Sequence, residues 1–387
     1  MGRFLLIIAF IAFISLGLPD GLLGVAWPSM HVSFGVPINS MGALVGGVVA
    51  GYVFSTVLSG KLVAWLGIGR LLAFSCFFTA TALFGYTLVP TWWMAILAGV
   101  IAGLGAGAID AGLNNYISHY HRTLLFLLHA FFGIGTTLGP LIMNTAINSA
   151  SWRQGYWVVA TFQLVLGITF LVTANRWAVR DSAMDNEGEK SKVPPAPLRQ
   201  TIQQPVAWLG IVFFVLYTGI EASVGQWSYT LMTQGRNITP DTGALFIGLY
   251  WGAFTLGRVV SGLIVKVMPE RRFLQLSMVG MVLGTFIVWW NGIEVLSLLA
   301  LPLIGFSVAP MFPSMIGSTQ ERIAPQHVAN TIGFQIGAAG FGVGVIIGLV
   351  GYLVGIFGLS AIATFNLIAA ISLFIVYELI QRVAHRG

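Results

Sequence analysis

GLPDGLLGVAWPSM, residues 17–30, places one carboxylate in a run otherwise suited to lipid. Arg3 is the only charged residue before Asp20, and no Asp, Glu, Lys or Arg follows until Lys61. The arrangement returns about 201 residues later in GIEASVGQW, residues 219–227, where Glu221, Gly225 and Trp227 stand for Asp20, Gly24 and Trp27. Two more matches keep nearly the same offset. Ser59-Gly60 corresponds to Ser261-Gly262, and Phe132-Gly133-Ile134-Gly135 to Phe334-Gln335-Ile336-Gly337. Three matches at one offset divide the chain into two homologous halves.

Those halves are built for a bilayer. The 387 residues are 57% hydrophobic and 8% charged, against about 25% charged in a soluble domain. The 48 glycines suit helices that approach one another closely in lipid. Stretches of about 20 apolar residues span a bilayer, and twelve are present, at 4–29, 39–65, 70–89, 92–117, 123–147, 153–177, 205–232, 241–266, 272–290, 294–318, 326–354 and 358–380. This predicts an all-α integral membrane protein with a six-helix half over 1–177, a polar linker over 178–204 and a second six-helix half over 205–387. The linker carries Asp181, Asp185, Glu187, Glu189, Lys190, Lys192, Arg199 and the run Pro194-Pro195-Ala196-Pro197, a composition without a core of its own.

Positive charge marks the cytoplasmic side. With both termini inside, only Arg153 and Arg236 of the 18 Lys and Arg lie outside. The pI near 9.6 is therefore read as an orientation signal, and no nucleic-acid partner is expected. The N-terminal run lacks a small-residue cleavage pattern and is expected to be the first span. MGRFLL lacks the Ser or Thr of a myristoylation site. Cys76 is the single cysteine, so neither an internal disulfide nor a cysteine-based metal site is expected.

The 6+6 arrangement with a cytoplasmic linker resembles the major facilitator superfamily along the whole chain. That family's loop signature between the second and third spans holds glycines, an acid and basic residues. Gly60, Gly67, Gly69 and Arg70 match it, while Ala64 stands where the acid is usual; Gly257-Arg258, Ser261-Gly262 and Arg271-Arg272 form the second copy. The resemblance implies gating roles for Arg70 and Arg258. Asp110-Ala111-Gly112-Leu113-Asn114, His129-Ala130-Phe131-Phe132-Gly133, Gly219-Ile220-Glu221 with Gln226-Trp227, and Pro310-Met311-Phe312-Pro313 resemble the fucose permease and sodium-dependent glucose transporter branch. It implies alternating-access transport of a small solute, with the coupling acid at Asp110.

Three acids, Asp20, Asp110 and Glu221, lie deep in spans. Each charge opposes insertion by about 2.5–3.5 kcal/mol, which protonation, an ion partner or a hydrated cavity relieves; a neutral acid tying helices together is the alternative reading. Gly99, Gly103 and Gly107 form a small-residue stripe that Asp110 and Asn114 continue, so the carboxylate is expected to face the bundle interior. Asp110 and Asp20 are assigned to the proton. Glu221, Gln226, Trp227, His129, Asn114, Asn330, Gln335 and Trp27 are assigned to the substrate, with helix ties the alternative for the amides and His129. Pro19 and Pro28 predict an irregular first span.

Gly103-Leu104-Gly105-Ala106-Gly107 mimics a dinucleotide loop without a preceding strand. His119 and His121 lie in a polar turn without further metal ligands. No Walker motif, nucleophile–base pair or metal cluster is present, so neither an enzyme nor an ATP-driven pump is expected, and no cofactor beyond a coupling proton or sodium ion. The leading expectation is proton-coupled monosaccharide symport by a monomer in the plasma (inner) membrane. Sodium-coupled uptake and proton-coupled export of lipophilic cations remain alternatives.

Overall fold

A computed structural model describes residues 3–118, 122–177, 196–264 and 267–384. Residues 178–195 of the expected linker, and His119 and His121, lie outside them. The first six spans are α1 (Arg3–Ser33), α2 (Met41–Leu66), α3 (Ile68–Leu88), α4 (Trp92–Ser118), α5 (Arg122–Ser149) and α6 (Trp152–Thr173). A short helix α7 (Leu198–Ile202) precedes α8 (Pro205–Thr230), α9 (Pro240–Ile264) and α10 (Glu270–Trp290). The tenth span is broken into α11 (Glu294–Val308) and α12 (Met311–Gly317), and α13 (Pro325–Phe357) and α14 (Ser360–Ala384) complete the set. Among the described residues twelve helical segments are long and apolar enough to cross a membrane, and every end falls within four residues of its predicted position.

The first span is continuous, against the expectation from its prolines, which both lie inside α1. Pro19 has no N–H to give the carbonyl of Ser15 four residues earlier. Gln163 of α6 gives it one instead, its Nε2 donating to the Ser15 oxygen at 2.9 Å. Neighbouring helices can re-satisfy a backbone group that proline frees, and the helix continues.

The chain packs as two units. One comprises Met1–Asp185 with Gln226–Gly252, the other Asn186–Gly225 with Ala253–Gly387. This division crosses the one read from the repeat, and the contacts say why. Gln226 Nε2 donates to the Asp20 carbonyl at 2.9 Å. Asp241 at the start of α9 accepts from Asn144 and Asn148 of α5, both at 2.7 Å. Gly248 and Gly252 of α9 lie against Thr137. A π-helical turn at Leu231–Gly235 ends the seventh span within the same unit.

Reciprocal glycines bring α2 and α4 together. A Cβ on Gly51 would fall on the Val100 carbonyl, and one on Gly103 on the Val48 carbonyl. We expect Gly103→Val to force these helices apart, destabilising the protein by about 1–3 kcal/mol. Gly60→Ala, on α2, meets open space and should leave the melting temperature in detergent within error. Equal melting temperatures for the two variants would contradict this packing.

Candidate functional site

Asp110 faces α2, as its place on the glycine stripe predicts. Its Oδ2 accepts from the Tyr52 hydroxyl at 2.5 Å, and its Oδ1 from Asn114 Nδ2 at 2.7 Å. The same Asn114 nitrogen also reaches the Asp110 carbonyl at 2.9 Å. Both oxygens therefore accept from neutral donors. Among the described residues no Lys or Arg forms an ion pair with Asp110.

Asp20 is exposed within its span, and its charge reaches Tyr52 of α2 and Tyr86 of α3. Gly21 beside it lies over the Thr136 carbonyl, the group left without a helical donor by Pro140 of α5. Tyr52 thus bonds one acid and feels the charge of the other. Sequence reasoning missed it, because a tyrosine in an apolar span reads as core or interface. A signal was present all the same. Tyr52 adjoins Gly51, and Gly47 and Gly51 on α2 keep the four-residue period of Gly99, Gly103 and Gly107 on α4.

Gln226 joins this group through the Asp20 carbonyl, while its own Oε1 is buried without a hydrogen-bond partner. His129, exposed on α5, stands edge-on to Phe13, with ring centroids 5.6 Å apart. Phe13 is two helical turns from Asp20, roughly 10 Å along α1. Trp27 is fully buried, donates to the Ile38 carbonyl at 2.7 Å and packs against Trp92. Its N–H is committed to the protein, so we remove it from the substrate set. Trp227 is fully buried as well and leaves the set with it.

In the second unit Glu221 accepts from the Tyr217 hydroxyl one turn earlier on α8. Arg258 of α9 bonds Tyr217 and acts on the Glu221 charge. Its guanidinium lies 4.2 Å from the centroid of Phe254. Arg258 sits six residues before Ile264, the last described residue of α9, roughly 9 Å inside the span. Its place in the span is set by the carboxylate it serves. Arg70 does lie at a helix end, exposed in the first turn of α3.

Asn330 and Gln335 are helix ties. Asn330 Nδ2 donates to the Ala196 carbonyl at 2.8 Å and to Thr201 Oγ1 at 3.0 Å, and Thr201 also bonds His327 at 2.9 Å. Together they hold α7 against α13. Gln335 Oε1 accepts from Thr319 at 3.0 Å, and its amide fills the space opposite Gly210. Both leave the substrate set. Nearby, Glu270 at the start of α10 pairs with Arg322 at 3.3 Å and accepts from Ser318 at 2.6 Å. Burial pulls the Arg322 guanidinium below its ordinary range, and the Glu270 charge opposes that pull.

Known proteins give this arrangement its context. Residues 5–339 match the family profile described as Major Facilitator Superfamily. The glucose/mannose transporter GlcP of Bacillus subtilis is 24% identical over 78% of this chain and 77% of its own length. The human sodium-dependent glucose transporter 1 is 22% identical over 85% of this chain and 69% of its own. Among solved structures, the nucleoside transporter NupG superposes with a TM-score of 0.76 at 17% identity, over 99% of this chain and 99% of that one; at that identity the likeness is one of fold. Twelve apolar spans among the described residues, acids lying within them and a profile match over most of the length lead to one conclusion: the chain belongs to the Major Facilitator Superfamily and is a multi-pass membrane transporter.

Proposed function

We propose that the chain is a proton-coupled symporter of a monosaccharide, or a similar small polar solute, working by alternating access. The observation that carries this is Asp110, a carboxylate in a span whose two oxygens accept from a phenol and an amide. Neutral donors solvate an ionised carboxylate, and they can be given up for a proton without breaking an ion pair. A sodium ion asks for several free oxygen ligands at once. While Tyr52 and Asn114 are in place, Asp110 offers only the remaining lone pairs of one carboxylate, which favours a proton.

Asp20, exposed and within electrostatic reach of the same phenol, serves as the second proton group. Gln226 supplies the link to the solute. Its Nε2 is spent on the Asp20 backbone, and its Oε1 remains available to a sugar hydroxyl. His129 and Asn114 are the other polar groups retained for the solute. A sugar is supported by the relatives, one named as a glucose/mannose transporter and one as a sodium-dependent glucose transporter. The Lys and Arg distribution supports cytoplasmic termini, and we place the chain as a monomer in the plasma (inner) membrane.

Export of lipophilic cations would need an acid open to the cargo. Glu221, the acid suited to that role, is already served by Tyr217 and Arg258, which disfavours it.

Purified protein in liposomes should accumulate glucose against its gradient when an inward proton gradient is imposed, and not when a sodium gradient is imposed alone. Asp110→Asn should abolish that accumulation while glucose counterflow persists. Uphill uptake by Asp110→Asn at the native rate would overturn the assignment of the proton. In the second unit, Arg258→Leu leaves Glu221 without its counter-charge and should destabilise the protein by about 1–3 kcal/mol. Adding Glu221→Gln should recover much of the lost melting temperature; independent, additive losses would show that the two charges do not interact.

A further inference from the structure

We propose that Tyr52 is a positioning residue for the coupling proton: its hydroxyl holds Asp110 in the ionised form and turns to Thr56 when Asp110 takes up a proton. The proposal rests on the reading of Asp110 as the coupling acid. The two donors on Asp110 differ in what can release them. Asn114 lies four residues on in the same helix and is also tied to the Asp110 backbone, so it moves with the acid. Tyr52 comes from another helix.

That helix does not slide away. Gly107 lies on the Tyr52 carbonyl, Gly103 on that of Val48, and Gly51 on that of Val100, so the α2 and α4 backbones are in contact on both sides of the phenol. Release of Asp110 is therefore a rotation of the side chain or its hydroxyl, with no separation of helices. A second partner is at hand. Thr56 lies one turn further along α2 and acts on the Tyr52 phenol; its Oγ1 is buried without a hydrogen-bond partner, and a Cβ on Gly107 would stand 2.9 Å from it.

The proton balance is simple. In the ionised state Tyr52 O–H donates to Asp110 Oδ2. On protonation the new proton bonds to Asp110 Oδ2 and is donated to the Tyr52 oxygen, while the Tyr52 hydrogen swings to Thr56 Oγ1. No bond within tyrosine breaks, and the phenol stays neutral throughout.

Among the described residues, Asp20 on α1 is the other titratable group whose charge acts on the phenol; Asp20 also acts on Tyr86 of α3, which stacks edge-on with Tyr156 of α6 at 5.4 Å. His129 on α5 stands against Phe13. Asp20 bears directly on the device, because its charge acts on the same hydroxyl that serves Asp110. The phenol feels both acids at once.

The test is a titration of the protonated carboxyl band by infrared difference spectroscopy on the purified full chain, with Asp110→Asn identifying the band that belongs to Asp110. A donor to the charged form makes protonation harder, so its loss makes protonation easier. Tyr52→Phe should move the Asp110 midpoint to higher pH by roughly one to two units. Thr56→Val, which removes the alternative partner of the phenol and keeps its bond to Asp110, should move it the opposite way. In liposomes the alkaline limit of proton-driven glucose uptake should rise in Tyr52→Phe by the same shift. A midpoint unchanged in Tyr52→Phe, or a uniform fall in uptake at every pH with no shift, would overturn the proposal. Because the titration needs no solute, it reads the Tyr52–Asp110 bond even where Asp110→Asn retains uphill uptake, which is the result that defeats the functional reading itself.

Discussion

The close contact of α2 and α4 decides what kind of acid Asp110 is. Glycine at 51, 103 and 107 lets backbone meet backbone, and only at that separation does the Tyr52 phenol reach the carboxylate on the neighbouring helix. A bulkier stripe would leave Asp110 with the single amide of Asn114. A charge in the bilayer core costs about 2.5–3.5 kcal/mol, and hydrogen bonds to a charged group return about 1.5–3 kcal/mol each. Two such donors therefore offset the cost of burying the carboxylate without an arginine.

The second half keeps the repeat and solves the same problem differently. At the offset of 202 that relates Ser59 to Ser261, Phe254 corresponds to Tyr52 and Arg258 to Thr56. The phenol has become a phenyl ring, and a guanidinium rests on its face. The acid there is Glu221, which corresponds to Asp20 and is served by Arg258 together with Tyr217. The two copies of the repeat differ in chemistry: Asp110 is met by neutral donors, and Glu221 by a phenol and the charge of Arg258.

How much of this is legible in the chain follows from the range of the forces involved. Span positions follow from hydrophobic length, a property of consecutive residues, and they agree within four residues everywhere. The facing of Asp110 follows from a four-residue glycine period on its own helix. Tyr52 is not legible as its donor, because that bond depends on the register between two helices and no local pattern reports it. Arg258 reads as part of a loop motif through its neighbours Gly257 and Gly262, although its position is fixed by a carboxylate on another helix. Trp27, Asn330 and Gln335 look like ligand groups because each offers a polar atom in an apolar run. Each spends that atom on the protein, as Gln163 does on the carbonyl that Pro19 leaves open.

The bond from Gln226 to the Asp20 carbonyl ties these observations into a route for coupling. A ligand shifts a conformational equilibrium only by as much as its affinity differs between the states. Gln226 holds the C-terminal part of the seventh span on α1 through its nitrogen, and its oxygen is left buried without a partner. An unmet buried acceptor costs about 1–3 kcal/mol, so the packed arrangement is penalised until a donor arrives. A sugar hydroxyl is such a donor. In the function proposed above, the proton would act at Asp20 and Asp110 and a sugar hydroxyl at Gln226, whose amide is bonded to the Asp20 backbone; that shared contact would give the proton and the solute a reason to move together.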